Sequence, residues 1–243
     1  MMAVYGLQDR QKLLLTAFKQ LSQTGIVPEG AEAGHKDGWG VLVYEGDMPR
    51  YVDREPTDPL NGPSYERTVE NIARTRPRII LAHLRKASCG AKSVENTQPF
   101  EHSQWSFAHN GTIYSHGLSR IGTENDSQAY FRTLLDGLAS SNIEDAVAGR
   151  VKELREDIMH QSDNSGRTYS SLTCLLSDGN SIYAVRDFSE ESEREYYTMY
   201  YALSQNGIVF CQEKIADGTW EAIPNKTLVA FHPGEDPKII PCN

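Results

Sequence analysis

Four short segments carry side chains whose types and spacing could do chemistry. The first is Gly34-His35-Lys36-Asp37-Gly38-Trp39-Gly40. The second, Ala82-His83-Leu84-Arg85-Lys86-Ala87-Ser88-Cys89-Gly90, follows a dense apolar run. An arginine placed just past a buried strand can take a carboxylate in a two-pronged contact. The third is Ala108-His109-Asn110-Gly111-Thr112. An asparagine amide and a glycine N–H aimed at one point would stabilise a developing oxyanion. The fourth, Thr123-Glu124-Asn125-Asp126-Ser127-Gln128, opens a helix with a carboxylate. Each also has a plain structural reading. Asp37-Gly38 would lead into a strand, Arg85 would be a surface charge, Asn110-Gly111 would be a hairpin turn, and Asp126 would be a helix cap.

Other chemistry has less support. His102, His109 and His116 recur every seven residues, with His83 and Cys89 nearby. The segment contains a turn signal, so no helical face gathers them, and ordinary polar histidines are the better reading than a metal site. No GxGxxG, P-loop or HExxH motif occurs, and no cofactor is expected. Cys89, Cys174, Cys211 and Cys242 are scattered without CxxC spacing, which suits reduced thiols.

These residues need elements to position them. Met2 to Leu7 reads as a strand, and Gln8 to Gln23 as a helix capped by Asp9, with Leu13, Leu14, Ala17, Phe18 and Leu21 at helical spacing. Thr24 to Asp37 reads as loop and Trp39 to Tyr44 as strand. Tyr51 to Pro63, with its prolines, reads as irregular. Ser64 to Thr75 is expected to be helical and Arg78 to Leu84 a buried strand. Ala87 to Ser103 reads as loop. Trp105 to His109 and Thr112 to Tyr114 would form a hairpin about Asn110-Gly111. Helices are expected over Asp126 to Ala139 and Asn142 to His160. Strands follow at Ser171 to Ser177, Ser181 to Arg186, Tyr197 to Leu203, Ile208 to Cys211 and Thr227 to His232. Strands and helices come in blocks, which favours α+β with mainly antiparallel sheets in one domain over residues 1–243.

The chain has 243 residues, with 24 Lys and Arg against 33 Asp and Glu, a formal charge of −9. That balance argues against a nucleic-acid binder. No apolar run is long enough to span a membrane, and no secretory signal is read at the start, so a cytoplasmic protein is expected.

Taken in order and at compatible spacing, the four segments resemble the class II glutamine amidotransferases, which are N-terminal nucleophile (Ntn) hydrolases. The resemblance is closest to the small stand-alone bacterial branch with a G-H-x-D-G-W-G motif. It covers Met2 to about Pro233 and implies a four-layer αββα sandwich, two stacked antiparallel sheets between helices. By position, Arg85 would bind the α-carboxylate of glutamine, with Ser88 nearby. Asn110 and Gly111 would form the oxyanion hole, and Asp126 would hold the α-ammonium. Asn96, in Glu95-Asn96-Thr97-Gln98-Pro99-Phe100, lies in a loop that packs near the site. The implied chemistry is amide hydrolysis through a γ-glutamyl thioester, with release of ammonia.

The family nucleophile is a cysteine directly after the initiator methionine. Its own α-amine, with an ordinary pKa of about 7.7–8.0, is the base. Here the opening is Met1-Met2-Ala3-Val4-Tyr5-Gly6, and Gly6 sets a register that puts Met2 at the nucleophile position. A thioether cannot become a thiolate, and a bulky second residue would keep Met1 in place. Cys89 is the nearest cysteine and has no α-amine. Gln128 replaces a usual glutamate and Gln98 a common histidine. The reading is a glutamine- or γ-glutamyl-binding protein that has lost glutaminase activity, with any acceptor or synthase on a separate chain. The alternatives are an active amidohydrolase with another start or nucleophile, and a non-catalytic structural or interaction protein.

Overall fold

The computed structural model describes residues 1–87, 90–114, 118–122, 124–138, 142–161, 168–189 and 194–243. Among these the strands are β1 (Met2–Gly6), β2 (Trp39–Glu45), β3 (Met48–Glu55), β4 (Ile79–Leu84), β5 (Phe100–His102), β6 (Trp105–Asn110), β7 (Thr173–Ser177), β8 (Ile182–Arg186), β9 (Tyr200–Ser204), β10 (Gly207–Cys211), β11 (Glu221–Ala222), β12 (Thr227–Phe231) and β13 (Lys238–Pro241). The helices are α1 (Gln11–Thr24), α2 (Ser64–Thr75), α3 (Asp126–Leu135) and α4 (Ile143–His160).

The strands form two antiparallel sheets, in the orders β11-β9-β10-β1-β4-β2-β3 and β13-β12-β8-β7-β6-β5. Strands such as β4 (IILAHL) and β7 (TCLLS) are buried throughout, because each sheet is covered on both faces. One apolar cluster joins Ala3, Leu81, Ile208 and Phe210 of the first sheet to Leu175, Ala184 and Val229 of the second. A second packs Leu14, Phe18, Tyr65 and Ile72 of α1 and α2 onto Val4, Val41 and Ile80. A third packs Tyr130, Leu134, Val151 and Leu154 of α3 and α4 onto Phe107, Leu176 and Val185. The order of layers is therefore αββα. The helices show one apolar stripe each; α2 buries Tyr65, Thr68, Val69 and Ile72.

Several expectations change. Met48–Glu55 is a strand, not irregular chain. It lies at the edge of its sheet, bonded to β2 alone, so it has no need of a buried apolar face. The segment read as loop from Ala87 to Ser103 contains β5. Asn110-Gly111 is not a hairpin turn: β6 pairs with β5 through a turn at Ser103-Gln104, and with β7 on its other side. Both edges of β6 are taken, and past Gly111 the chain turns away, leaving Ile113 one isolated bridge to Tyr169. Asp9 does not cap α1; it pairs with Arg76. Asn125, not Asp126, caps α3, and α3 ends at Leu135 rather than Ala139, which lies outside the described residues. β11 and β13 are additional.

The first and third chemical segments need their glycines for close packing. A Cβ at Gly40 would run into the Gln98 carbonyl oxygen and stand 3.2 Å from the Arg54 Cβ. Overpacking against fixed backbone costs about 1–3 kcal/mol. Gly40→Ala is therefore expected to lower unfolding stability by about that amount in urea titration. Unchanged stability would mean that the 97–98 loop does not press on β2.

Candidate functional site

A cavity of about 390 Å³ opens at one end of the sandwich, between the two sheets. Its wall includes Met1, His35, His83, Arg85, Gln98, Asn110, Gly111 and Asp126. Three of the four chemical segments reach it from β4, β6 and the start of α3, and His35 of the first segment joins them. Arg85, Asn110, Gly111 and Asp126 are thus brought together. Ser88, Cys89 and His116 lie outside the described residues.

Arg85 and Asp126 are charged and only 7% and 4% exposed. Arg85 leaves β4 locked to the first segment. Its N–H donates to the Gly38 carbonyl at 2.7 Å, and its carbonyl accepts from the Asp37 N–H at 3.0 Å. The Asp37 carboxylate accepts from the Ala87 N–H at 2.9 Å and pairs with Lys92. Burial raises the Asp37 carboxyl pKa, but the bonds from Lys92 and Ala87 outweigh it and hold the group below its ordinary value. The Arg85 guanidinium donates to the Ala91 carbonyl at 3.0 Å. Asp126 sits in the first turn of α3, where the helix dipole favours an anion. It accepts from the Ile113 N–H at 2.9 Å.

Asn110 ends β6 with its amide donating to the Tyr196 carbonyl at 3.4 Å. Gly111 has no room for a side chain: a Cβ would collide with the Ser171 carbonyl and stand 2.8 Å from His109 Nε2. His109 is buried and wholly used inside the protein. Its Nε2 faces the Ser171 carbonyl at 2.9 Å, so that nitrogen carries the proton, and Nδ1 accepts from the Ser127 hydroxyl at 2.9 Å. Burial lowers its pKa, with Asp126 pulling the other way. His102 is exposed on β5. Among the described residues no group of three or more His, Cys, Asp or Glu is placed to hold a metal.

The start of the chain departs from its expected placement. Successive side chains of a strand point to opposite faces. Met1 belongs to the inter-sheet cluster with Ala3 and lines the cavity. Met2 is 0% exposed and packs on the opposite face, with Leu14, Trp39 and Ile80. The structure therefore does not bring Met2 to Asn110 and Gly111. The Met1 α-amine donates to Gln212 Oε1 at 3.1 Å, and burial lowers its pKa. Cys174, Cys211 and Cys242 are free and buried. Burial pushes Cys211 up to about 11 and Cys174 to about 12, far from a thiolate at neutral pH.

Sequence reasoning gave His35 no role of its own within the first segment and missed Tyr196 and Gln212 as wall residues. The His35 ring stacks on Tyr196 at 6.3 Å and rests against Gly25. Tyr196 and Gln212 arrive from the last third of the chain, where no motif marked them.

The chain has relatives in sequence and in fold. A sequence profile of the class-II glutamine amidotransferases matches residues 14–203. YafJ of Escherichia coli, which carries a glutamine amidotransferase name, is 31% identical over 173 residues, 67% of this chain and 66% of its own length. A protein of Methanocaldococcus jannaschii is 25% identical over 256 residues, 92% of this chain and 66% of its own. The chain thus spans about two thirds of the length of both relatives. A glutamine aminotransferase class-II domain protein from Silicibacter pomeroyi has the same fold, with a TM-score of 0.63 at 17% identity over 85% of this chain and 96% of its own. No helix among the described residues is long and apolar enough to cross a membrane.

His35 gives the site a pH signature. Burial, then the charge of the Met1 amine and of Lys86, lower its pKa from 6.5 to about 4. Between those values the unfolded chain takes up a proton that the folded chain refuses. Stability is therefore expected to fall as pH drops from about 6.5 towards about 4, by about 1–3 kcal/mol from this group. Urea titrations at stepped pH should show that slope added to the one from buried His83 and His109, and His35→Asn should lessen it; an equal slope in both proteins would contradict the assignment.

Proposed function

From the premise that the chain belongs to the class II glutamine amidotransferases, we propose that its cavity binds glutamine or a γ-glutamyl compound and holds it without cleaving it. The observation that carries this reading is the buried pair of opposite charges, Arg85 and Asp126, on the wall of one cavity with Asn110 and Gly111. A zwitterionic amino-acid head needs one cation and one anion at such depth. Arg85 would take the α-carboxylate and Asp126 the α-ammonium. Asn110 and Gly111 would face the side-chain carbonyl.

The loss of cleavage follows from what shares the cavity with those donors. Met1 lines it, and a thioether has no proton to lose. The sequence register put Met2 in that role; the pleat of β1 supports Met1 instead. The described thiols lie in the cores with raised pKa values. The proposal extends to one amidotransferase-type domain over residues 1–243, acting as a ligand sensor or together with an acceptor enzyme.

Calorimetry with glutamine tests the reading. Removing one charge of a buried contact costs about 2–5 kcal/mol, so Arg85→Ala is expected to weaken binding by at least about thirtyfold. Glutamate release is expected to stay at background. Absence of glutamine binding at millimolar concentration would contradict the pocket assignment. Turnover by the pure protein would favour an active amidohydrolase instead.

A further inference from the structure

The two charges proposed to hold the ligand head come from different sheets and layers, and one side chain bridges them. Arg85 extends from the end of β4, in the first sheet. Asp126 opens α3, which packs on the second. Between them runs the 91–98 loop. The Ala91 carbonyl accepts from the Arg85 guanidinium at 3.0 Å and from the Asn96 amide at 3.1 Å. Asn96 Oδ1 in turn accepts from the Asn125 amide at 3.0 Å.

Asn125 is the residue that starts α3. Its Oδ1 accepts from the Gln128 N–H at 2.8 Å, and its own N–H donates to Gln128 Oε1 at 2.9 Å. The Gln128 amide also reaches back to the Glu95 carbonyl at 3.3 Å. Asp126 is the next residue along the chain. The loop is itself held: Thr97 Oγ1 donates to the Ser93 carbonyl at 2.8 Å, and the Thr97 N–H donates to the Val94 carbonyl at 3.0 Å. A Cβ at Gly90 would lie in ordinary contact with both side chains, 3.5 Å from Asn96 and 3.7 Å from Arg85, so the two approach one point.

We propose that Asn96 is a positioning residue: by joining the carbonyl that holds Arg85 to the cap of α3, it sets the spacing between Arg85 and Asp126. This rests on the proposed glutamine-type ligand. Asn96 touches neither ligand charge in that arrangement. Its two amide atoms face in opposite senses, donor towards Ala91 and acceptor from Asn125, so only a side chain with both can span the gap. A ligand carrying both head charges senses the spacing. A ligand carrying one does not.

The test compares three probes: glutamine, its analogue lacking the α-amine (4-carbamoylbutanoate), and its analogue lacking the α-carboxylate (4-aminobutanamide). Binding is measured by calorimetry to the full chain. Asn96→Ala is expected to weaken glutamine by about tenfold and each single-charge analogue by less than about threefold. Asn125→Ser keeps a capping oxygen for α3 but removes the amide that reaches Asn96. It is expected to give the same pattern, and it serves if Asn96→Ala does not fold. Equal weakening of all three probes, or none, in a folded variant would overturn the positioning role. If the unaltered chain binds none of the three, the glutamine reading fails first, and the positioning role fails with it.

Discussion

Arg85 and Asp126 are buried charges facing one cavity, and each must be compensated by the protein around it. Taking a single charge out of water costs several kcal/mol even after relaxation. The local structure is arranged accordingly. The Arg85 backbone is pinned by two bonds to Asp37 and Gly38, and its guanidinium by the Ala91 carbonyl. Asp126 has the Ile113 N–H and the start of a helix. Gly38 and Gly40 let β2 approach the 97–98 loop closely, so that the first segment and the loop after Arg85 form one packed unit. The charge of the site is thus held by the backbone geometry immediately around it.

Much of this was legible in the sequence. The dense apolar runs at β4, β7, β8 and β12 gave strands because their two faces are both covered. The helices α2 and α4 followed from apolar residues at helical spacing. Arg85, Asn110, Gly111 and Asp126 line one cavity; what grouped them in the sequence was the family resemblance, not a local pattern. What stayed hidden has physical causes. β3 is an edge strand with a charged, half-exposed pattern, and β5 has only three residues. The Asn110-Gly111 pair carries a strong local turn signal, but tertiary pairing of β6 with both neighbours overrides it. Asn125 and Asp126 are equally good caps by type; which one takes the role depends on the Asn96 and Gln128 partners that only the fold supplies.

The opening residues show a subtler limit. Counting back from Gly6 gives a register, but the pleat decides which face a side chain occupies. Even-numbered Met2 and Val4 face α1 and α2, while Met1 and Ala3 face the other sheet. A shift of one residue exchanges the core for the cavity. On the proposed reading, the consequence is chemical: a thioether and a buried amine stand at the cavity, and Cys211, beside Met2 on the neighbouring strand, is packed on the helix side of the sheet.

A crystal structure of the chain with glutamine tests the central claim most directly. The proposed reading predicts the α-carboxylate against Arg85, the α-ammonium against Asp126, and the intact side-chain amide between Met1 and the Asn110-Gly111 pair. Glutamine bound elsewhere, or lying in the cavity with its head turned away from Arg85 and Asp126, would contradict it.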